Sequence, residues 1–433
     1  MTKKNLKNFY GKMMIDMAKE LYPINRSITG EGVRKTLNII KKKIPLKKKF
    51  FKSGKKVFDW VVPQEWKIKQ AYILDLKNNK KYADFKENNL HIVGYSQPIN
   101  KIISLEELKK HIHTEEKNKN AIPYVTSYYK KNWGFCLSHN ELKKLKNNKY
   151  KVLIESSFLK NGSMDYGESL LKGRTKKEIF FTSYICHPSM VNNELSGPVI
   201  NTALIHYINS LKNRKFTYRF VFGSETIGSI AYINKNFDKL NKNMLAGFVV
   251  NCAGDNRDFS FVQTPEKNTF ADEIMNSSFI GLKKKSIYEF KDRSSDERQY
   301  CSPGVELPVC SFSRSKAGSK TYPEYHTSLD NFSLVKKKGL EGSFEIFKNI
   351  IDTFELAPFP KAKTKCEPFL TKRNLYPTLS KKKNISNELK NLLDILAYSN
   401  GKRSIFQISN ILKLELKTCL EILKKLRKHN LIF

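Results

Sequence analysis

The stretch that decides the fold is FFTSYICHPSMVNNELSGP, residues 180–198. It opens with an apolar and aromatic run that is typical of a buried strand, and His187 stands directly after this run. Asn193 and Glu194 follow a few positions later, and a small Leu-Ser-Gly turn closes the stretch. A histidine at a strand end, followed by two amides and a carboxylate, indicates a metal site or the remains of one.

Strand and helix patterns alternate beyond this stretch. EIFFTSYI is followed by the helical pattern GPVINTALIHYINSL, then by the apolar YRFVFGS, a helix from Ser229, MLAGFVVNCAG, ELPVCSFSR and a helix from about 334 to 356. Apolar runs that alternate with amphipathic helices predict an α/β fold, in which helices cover both faces of a sheet. Ligands of such sheets bind beyond the carboxyl ends of the strands.

The remaining patterns divide the chain. We expect residues 1–57 and 166–362 to form the α/β domain, because short β-prone runs between them predict an inserted β-rich module at 58–165. The Pro- and Lys-rich residues 363–384 predict a linker. Three helices with apolar residues at three-and-four spacing predict a winged-helix-like domain at 385–433. This domain has almost no room for a two-stranded wing, which argues against ordinary DNA binding.

Composition limits the function classes. The net charge of +38 suggests an anionic partner, but the lysines are spread over all 433 residues, so we interpret the charge as surface composition and expect no specific nucleic-acid partner. The C-terminal domain is instead expected to serve dimerisation or partner docking. No run has the apolar length of a membrane span. Seven cysteines without CxxC spacing favour a reducing compartment, so a cytoplasmic protein is expected.

Four chemically active residues follow predicted strands: His187, Glu225, Asp255 and His326. Two histidines with carboxylates at successive strand ends form a zinc-type ligand set, although any one of them alone is more often a structural residue. A carboxylate that does not bind the metal could act as the general base, and Glu225 is the candidate. Cys186 and Cys252 lie beside these strand ends, and we interpret both as small core residues, not as nucleophiles.

The segment SSDERQY, residues 294–300, is polar within otherwise apolar sequence. One interpretation is a solvated loop with an internal ion pair. The other is a substrate-binding segment, in which Asp296 or Glu297 receives a free amino group and Arg298 binds a carboxylate through its bidentate guanidinium.

The motifs CHPSM-x-NNELSG, SETIGSIAY and HTSLDN occur in the order in which related motifs occur in the di-zinc aminopeptidase superfamily, which includes bacterial leucyl aminopeptidases and glutaminyl cyclases, and the chain resembles that superfamily. It is more similar to an uncharacterised aminopeptidase-like family found among polysaccharide-biosynthesis genes. That resemblance lies in YPINRSITGEG, SSDERQYCSPGVELPVCSFSRS and YPEYHTSLDN, in the inserted β module and in the C-terminal winged helix. It covers nearly the whole chain.

The resemblance implies a zinc-aminopeptidase-like mixed sheet and a ligand set. His187 and His326 match the superfamily's two histidine ligands, and Asn193 stands where its metal-bridging aspartate is expected. Glu225 is a single glutamate where a pair is usual, with Ser224 in the other place.

The pattern is therefore short of acidic ligands. Asn251 falls near the superfamily's further aspartate ligand, and Asp255 is displaced from it. We expect one zinc ion instead of two, with a weak or shifted third ligand. The candidates for that ligand are Asn193 through its carbonyl oxygen, Glu194 and Asp296.

The resemblance and the residues together predict a zinc-dependent amide or peptide hydrolase. Its substrate would be a small molecule or peptide, such as an aminoacylated sugar or a peptide in surface-polysaccharide biosynthesis. Two alternatives stay open. One is a decayed hydrolase fold that serves as a binding or scaffold protein, which the amide at Asn193 favours. The other is a nucleic-acid-binding regulator that uses residues 385–433, where basic residues outnumber acidic ones.

Overall fold

The computed structural model describes residues 3–315, 322–375 and 387–433. The strands within these residues are β1 (Lys47–Lys52), β2 (Lys56–Val57), β3 (Trp60–Val61), β4 (Glu65–Asp75), β5 (Lys81–Tyr82), β6 (Ile99–Ser104), β7 (Ile112–His113), β8 (Phe135–Cys136), β9 (Lys149–Leu159), β10 (Ser163–Leu171), β11 (Glu178–Tyr184), β12 (Thr217–Gly223), β13 (Met244–Val250), β14 (Phe259–Val262), β15 (Lys285–Tyr288) and β16 (Val309–Ser313). The α-helices of the same residues are α1 (Lys3–Leu21), α2 (Glu31–Lys43), α3 (Leu105–Lys109), α4 (His139–Leu142), α5 (Ser196–Ser210), α6 (Ile227–Asn243), α7 (Phe270–Ser278), α8 (Glu297–Tyr300), α9 (Lys337–Leu356), α10 (Asn387–Tyr398), α11 (Ile405–Leu412) and α12 (Leu416–Lys428).

A mixed sheet forms the frame of the molecule. Among the described residues it has eight strands in the order β1-β10-β12-β11-β13-β16-β14-β15. The neighbours β12, β11, β13 and β16 run parallel, whereas β1, β10 and β14 join the sheet antiparallel. The carboxyl ends of the four parallel strands therefore meet at one edge. The segments that follow them carry His187, Glu225, Asp255 and His326.

Both faces of this sheet are covered, and β11 is buried along its whole length. Successive side chains of a strand point to opposite faces. Phe181 accordingly packs into a core shared with α1, α2, α5 and α9, while its neighbour Phe180 packs into a second core shared with α6 and the inserted module. Such two-sided burial explains the near-continuous apolar runs in the sequence.

The inserted module lies between β1 and β10 in the chain and contains an antiparallel sheet of order β5-β4-β9-β6. Its last strand in the chain, β9, ends at Leu159, and Ser163 already begins β10 of the large sheet. The module also reaches the large sheet's carboxyl edge. Pro123 forms a β-bridge with Thr327, and the Tyr124 N–H donates to the His326 carbonyl oxygen at 2.8 Å.

The C-terminal domain consists of α10, α11 and α12 and packs on the α/β domain through α11 against α7 and α12 against α9. In place of a full wing, Ala362 and Lys361 form single β-bridges with Ile432 and Asn400. Lys361 and Ala362, predicted as the end of the α/β domain, thus contact the C-terminal domain, and the N–H of Lys363, the first residue of the predicted linker, donates to the Leu431 carbonyl oxygen at 2.9 Å. Residues 376–384 of this linker lie outside the described residues. Nowhere in the described residues does a helix combine the length and apolar character needed to cross a membrane.

Candidate active site

His187 is fixed on one side by a buried ion pair. Its Nδ1 lies 2.8 Å from Glu194 Oε2, and the Arg26 Nε–H donates to the His187 carbonyl oxygen at 3.0 Å. Arg26 Nε also lies 3.6 Å from Glu194 Oε1, which balances the carboxylate charge. Burial opposes protonation of His187, but Cys186 and Glu194 raise the pKa of the imidazole well above its usual value. The ring orientation is thereby set, and Nε2 faces away from Glu194.

Two other candidate residues lie near His187. Glu225 Oε2 lies 3.6 Å from His187 Nε2, and the centroid of the His326 ring lies 5.5 Å from that of His187. Tyr124 of the inserted module packs edge-on against both imidazoles, at 5.0 and 5.3 Å between ring centroids. The structure therefore places His187, Glu225 and His326 near one another, and Tyr124 of the insertion covers the two histidines.

Asn193 lies in a buried π-helical turn, Val191–Leu195, between β11 and α5. Asp330 holds this turn, since its carboxylate accepts hydrogen bonds from the N–H groups of residues 191, 192 and 193 at 3.1, 2.5 and 2.9 Å. It also accepts from the Tyr322 hydroxyl at 2.6 Å. Burial raises the pKa of Asp330 to about 6 against the effect of these donors. Asp330 is a site residue that the sequence interpretation missed, although it lies within HTSLDN.

The Asn193 amide has one partnered and one unpartnered atom. Its Oδ1 accepts a hydrogen bond from the Tyr184 hydroxyl at 3.1 Å, and its buried Nδ2 has no hydrogen-bond partner within the described part of the chain. Burial raises the pKa of Tyr184 well above its usual value, so this hydroxyl stays protonated. Rotating the amide by 180° would pair the nitrogen with the Tyr184 oxygen and turn the carbonyl oxygen toward the unpartnered side.

Glu225 follows β12 in a tight turn, Ser224–Thr226, which we call the Thr226 turn. The Ser224 hydroxyl donates to the Ile28 carbonyl oxygen at 2.6 Å, and the Glu225 N–H donates to Cys186 Sγ at 3.3 Å. Thr226 has φ 60° and ψ −87°. The side chain of Glu225 is 21% exposed, so solvent reaches this carboxylate.

Two of the three candidate residues in the SSDERQY segment, Asp296 and Arg298, contact the Thr226 turn. Asp296 Oδ1 accepts from the Thr226 N–H at 2.8 Å, and Arg298 Nη2 donates to Thr226 Oγ1 at 2.6 Å. Glu297 Oε1 accepts from the N–H groups of residues 294 and 295. Burial and the nearby Glu225 raise the pKa of Asp296 to about 7. The contacts of these side chains are with the protein itself, so their role in substrate binding stays a prediction.

Asn251 and Asp255 also have protein partners. Asn251 donates from Nδ2 to Ser295 at 2.5 Å and accepts at Oδ1 from Ser313 at 2.8 Å. Asp255 accepts from the Asn192 amide at 3.0 Å, from the backbone of residue 257 at 2.9 Å and from the Ser315 hydroxyl at 2.5 Å. These hydrogen bonds connect the loop after β13 to the π-helical turn and to residues 295, 313 and 315. The Asn251 oxygen already accepts a hydrogen bond from Ser313.

The donor set fits one zinc ion better than two. His187 is oriented as metal-binding histidines usually are, with a carboxylate on the nitrogen that faces away from the ligand position. Cys186, His187 and Glu194 have ligand atoms within 4.8 Å of one another, but this cluster uses the Nδ1 side that Glu194 already occupies. Two ions need bridging and flanking carboxylates, and Asn193 and Asn251 supply neutral amides instead.

Comparison with known proteins supports the same fold. A model of a domain of unknown function, DUF4910, matches residues 15–357, and a winged helix-turn-helix model matches residues 358–433. A Clostridium acetobutylicum protein, whose name gives it a role in polysaccharide biosynthesis and an aminopeptidase-like domain, is 42% identical over 401 residues. The alignment covers 92% of this chain and 91% of that protein.

Solved structures show how far the likeness extends. A crystal structure from Clostridium acetobutylicum, whose description assigns it to the peptidases, matches with a TM-score of 0.89 at 40% identity, over 99% of this chain and 97% of that one. BSAP, a zinc aminopeptidase from Bacillus subtilis, matches with a TM-score of 0.57 at 12% identity, over 79% and 93% of the two chains, which shows a shared fold.

These matches confirm the predicted fold class, a zinc-aminopeptidase-like mixed sheet flanked by helices with a C-terminal winged-helix domain. They also confirm the resemblance to an aminopeptidase-like family associated with polysaccharide biosynthesis. The chain therefore belongs to the DUF4910 family, and it joins an aminopeptidase-like α/β domain to a winged helix.

Proposed function

We propose that this chain is an aminopeptidase-like hydrolase of amide bonds that uses a single zinc ion. The observation that supports this most directly is the orientation of His187, whose Nδ1 contacts Glu194 while Nε2 faces Glu225. The centroids of the His187 and His326 rings lie 5.5 Å apart.

His187 and His326 would hold the ion through imidazole nitrogens, and His187 would give up its Nε2 proton on binding. The carbonyl oxygen of Asn193 would be a weak third ligand. Zinc bound there supplies a Lewis acid that polarises an amide carbonyl and lowers the pKa of water. Glu225 accepts the proton of the attacking water and passes it to the leaving amine, for which its partial exposure is suited. Tyr124 covers both imidazoles and limits their contact with bulk water.

The substrate class is proposed from the name of the relative. The Clostridium acetobutylicum protein is named for polysaccharide biosynthesis. We therefore propose that the amide belongs to a small aminoacylated sugar or a peptide precursor. The C-terminal domain, which is packed against α7 and α9, is proposed to dock a partner or a second copy of the chain.

The first experiment measures zinc and turnover in the same preparations. Wild type should bind about one zinc ion per chain and hydrolyse members of a panel of aminoacyl and peptidyl amides. His187→Ala and His326→Ala should each lose tight zinc binding while the circular dichroism spectrum is retained. Glu225→Gln should keep the zinc and lose turnover, because the amide keeps the shape of the side chain and cannot accept a proton. His111→Ala, in the inserted module, is the control.

Three results would contradict this assignment. Unchanged zinc stoichiometry in a histidine variant removes that histidine from the ligand set, and full activity of Glu225→Gln removes its role as the base. A wild-type chain that binds no zinc at micromolar concentration would favour the second candidate, a binding protein on a decayed hydrolase fold. The neutral amides of Asn193 and Asn251 are the observation that favours this candidate.

A further inference from the structure

We propose that Asp296 and Arg298 are positioning residues that hold Thr226 in a strained conformation and thereby fix the carboxylate of Glu225. The proposal rests on the proposed function for its catalytic meaning. Its structural part is that the position of Glu225 depends on the side chains of Asp296 and Arg298. This part does not rest on the proposed function.

Thr226 is the strained residue. With φ 60° and ψ −87° it lies outside the regions that L-amino acids favour, and a β-branched side chain makes a positive φ still less favourable. Such outliers persist only where the surrounding structure holds them, and they concentrate at functional sites. Thr226 stands between the end of β12 and the start of α6, so its conformation sets the direction in which the chain passes Glu225.

Two contacts from one short segment hold Thr226. Asp296, which is 2% exposed, accepts the Thr226 N–H, and Arg298 donates to the Thr226 hydroxyl. The backbone and the side chain of the same residue are thus bound at 2.8 and 2.6 Å. Glu297 in turn fixes the segment, because its carboxylate accepts the N–H groups of residues 294 and 295.

The geometry connects this contact to the chemistry. Glu225 shares a peptide bond with Thr226, and its Oε2 lies 3.6 Å from His187 Nε2. If Thr226 relaxed to an ordinary negative φ, the peptide group between residues 225 and 226 would rotate and carry the Glu225 side chain away from His187. A shift of about 1 Å in a reacting group can cost about 100-fold in rate.

The test is a rescue experiment with Asp296→Ala. This change removes the acceptor of the Thr226 N–H, so Thr226 should relax, kcat should fall by about 100-fold and KM and zinc stoichiometry should stay near wild type. Thr226→Gly, in which a positive φ costs nothing, should restore most of kcat when combined with Asp296→Ala. Thr226→Ala is the matched control, because alanine keeps the conformational cost and should not restore it.

Arg298→Ala gives a second, milder test that does not depend on the stability of the Asp296 variant. Arg298 is proposed to act only through the Thr226 hydroxyl. Its substitution should therefore lower kcat in the wild-type chain and have no effect in the Thr226→Gly chain, which lacks that hydroxyl. An equal loss in both backgrounds would overturn the role assigned to Arg298.

Crystal structures of the metal-free variants separate this proposal from the proposed function. The distance from His187 Nε2 to Glu225 Oε2 should lengthen in Asp296→Ala and return toward 3.6 Å in the double variant with Thr226→Gly. That outcome supports the positioning role even if the wild-type chain hydrolyses no amide. An unmoved Glu225 in Asp296→Ala, or a loss of kcat that Thr226→Gly does not restore, would overturn it.

Discussion

At the scale of single residues, the difference between an amide and a carboxylate has the largest consequence for the site. Asn193 carries no charge, and the carboxylate of its neighbour Glu194 is already paired with Arg26 and His187. The residues that we propose bind the ion are therefore two histidines, His187 and His326, with Glu225 as the nearby carboxylate.

Asn193→Asp should tighten zinc binding by about tenfold or more, because a carboxylate adds a charged ligand where the amide offers one carbonyl oxygen. The zinc dissociation constants of variant and wild type are compared with a competing chelator at fixed pH. Asn241→Asp, at an exposed position of α6, is the matched control, because it adds the same charge away from the site. Equal affinities of Asn193→Asp and wild type would show that residue 193 is not at the metal.

The candidate site residues at strand ends could be predicted from the sequence. The side chains that contact them could not. His187, Glu225 and His326 stand out because each follows an apolar run or belongs to a motif of a known family. Arg26 lies within the family motif YPINRSITGEG, but nothing in that motif indicates a contact with His187. Tyr124 gave no signal, since it reaches the histidines only through the packing of the inserted module.

At the scale of elements, the π-helical turn Val191–Leu195 depends on a single side chain. Asp330 accepts three consecutive backbone N–H groups of this turn and one hydroxyl. Those N–H groups precede α5 and are buried, so they have no solvent to bond with when the carboxylate is removed. The turn that contains Asn193 is thus held by Asp330, which lies in the segment that follows residue 322.

Asp330→Asn should lower the free energy of unfolding by roughly 1–3 kcal/mol, because the new NH₂ group faces donors and leaves at least one buried N–H unsatisfied. Zinc affinity should fall with it, since the turn carries Asn193. Chemical denaturation and chelator competition measure the two effects, and Asp394→Asn, on the exposed surface of α10, is the control. A variant with wild-type stability would show that the turn holds without this carboxylate.

The order of strands and helices was predictable because burial on both faces leaves continuous apolar runs. The Thr226 turn was not, because nothing in the local sequence SETIGS requires a positive φ at a threonine. That conformation depends on Asp296 and Arg298, which are some 70 positions later in the sequence. Contacts between distant segments decided the local geometry, and single-sequence patterns do not report such contacts.

At the scale of the whole molecule, the winged-helix domain is joined to the α/β domain by a buried interface. Residues of α10, α11 and α12 belong to the same hydrophobic core as α1, α5 and α9. Polar contacts add to this interface, since the Ser277 and Ser409 hydroxyls lie 2.9 Å apart and Asn410 donates to the Glu273 carbonyl oxygen at 2.9 Å. The two regions should therefore unfold together.

Calorimetry of the full chain should show one cooperative transition, and Ser409→Asp should move that whole transition to lower temperature. The substitution puts an unpaired charge into the buried contact between α11 and α7. Lys413→Asp, at the exposed end of the same helix, is the control and should leave the transition in place. Two separate transitions, of which only the smaller moves, would contradict the joint unfolding of the domains.

The β-bridge between Pro123 and Thr327 has a consequence for motion. Tyr124 is bonded to the His326 carbonyl oxygen, and Ser328 is bonded to residue 122, so the inserted module and the loop that carries His326 share continuous backbone hydrogen bonds. Any hinge displacement of the module would carry His326 with it and change its separation from His187, which is anchored to the sheet. A molecule that engages only the outer surface of the insertion would thereby act on the spacing of the two histidines.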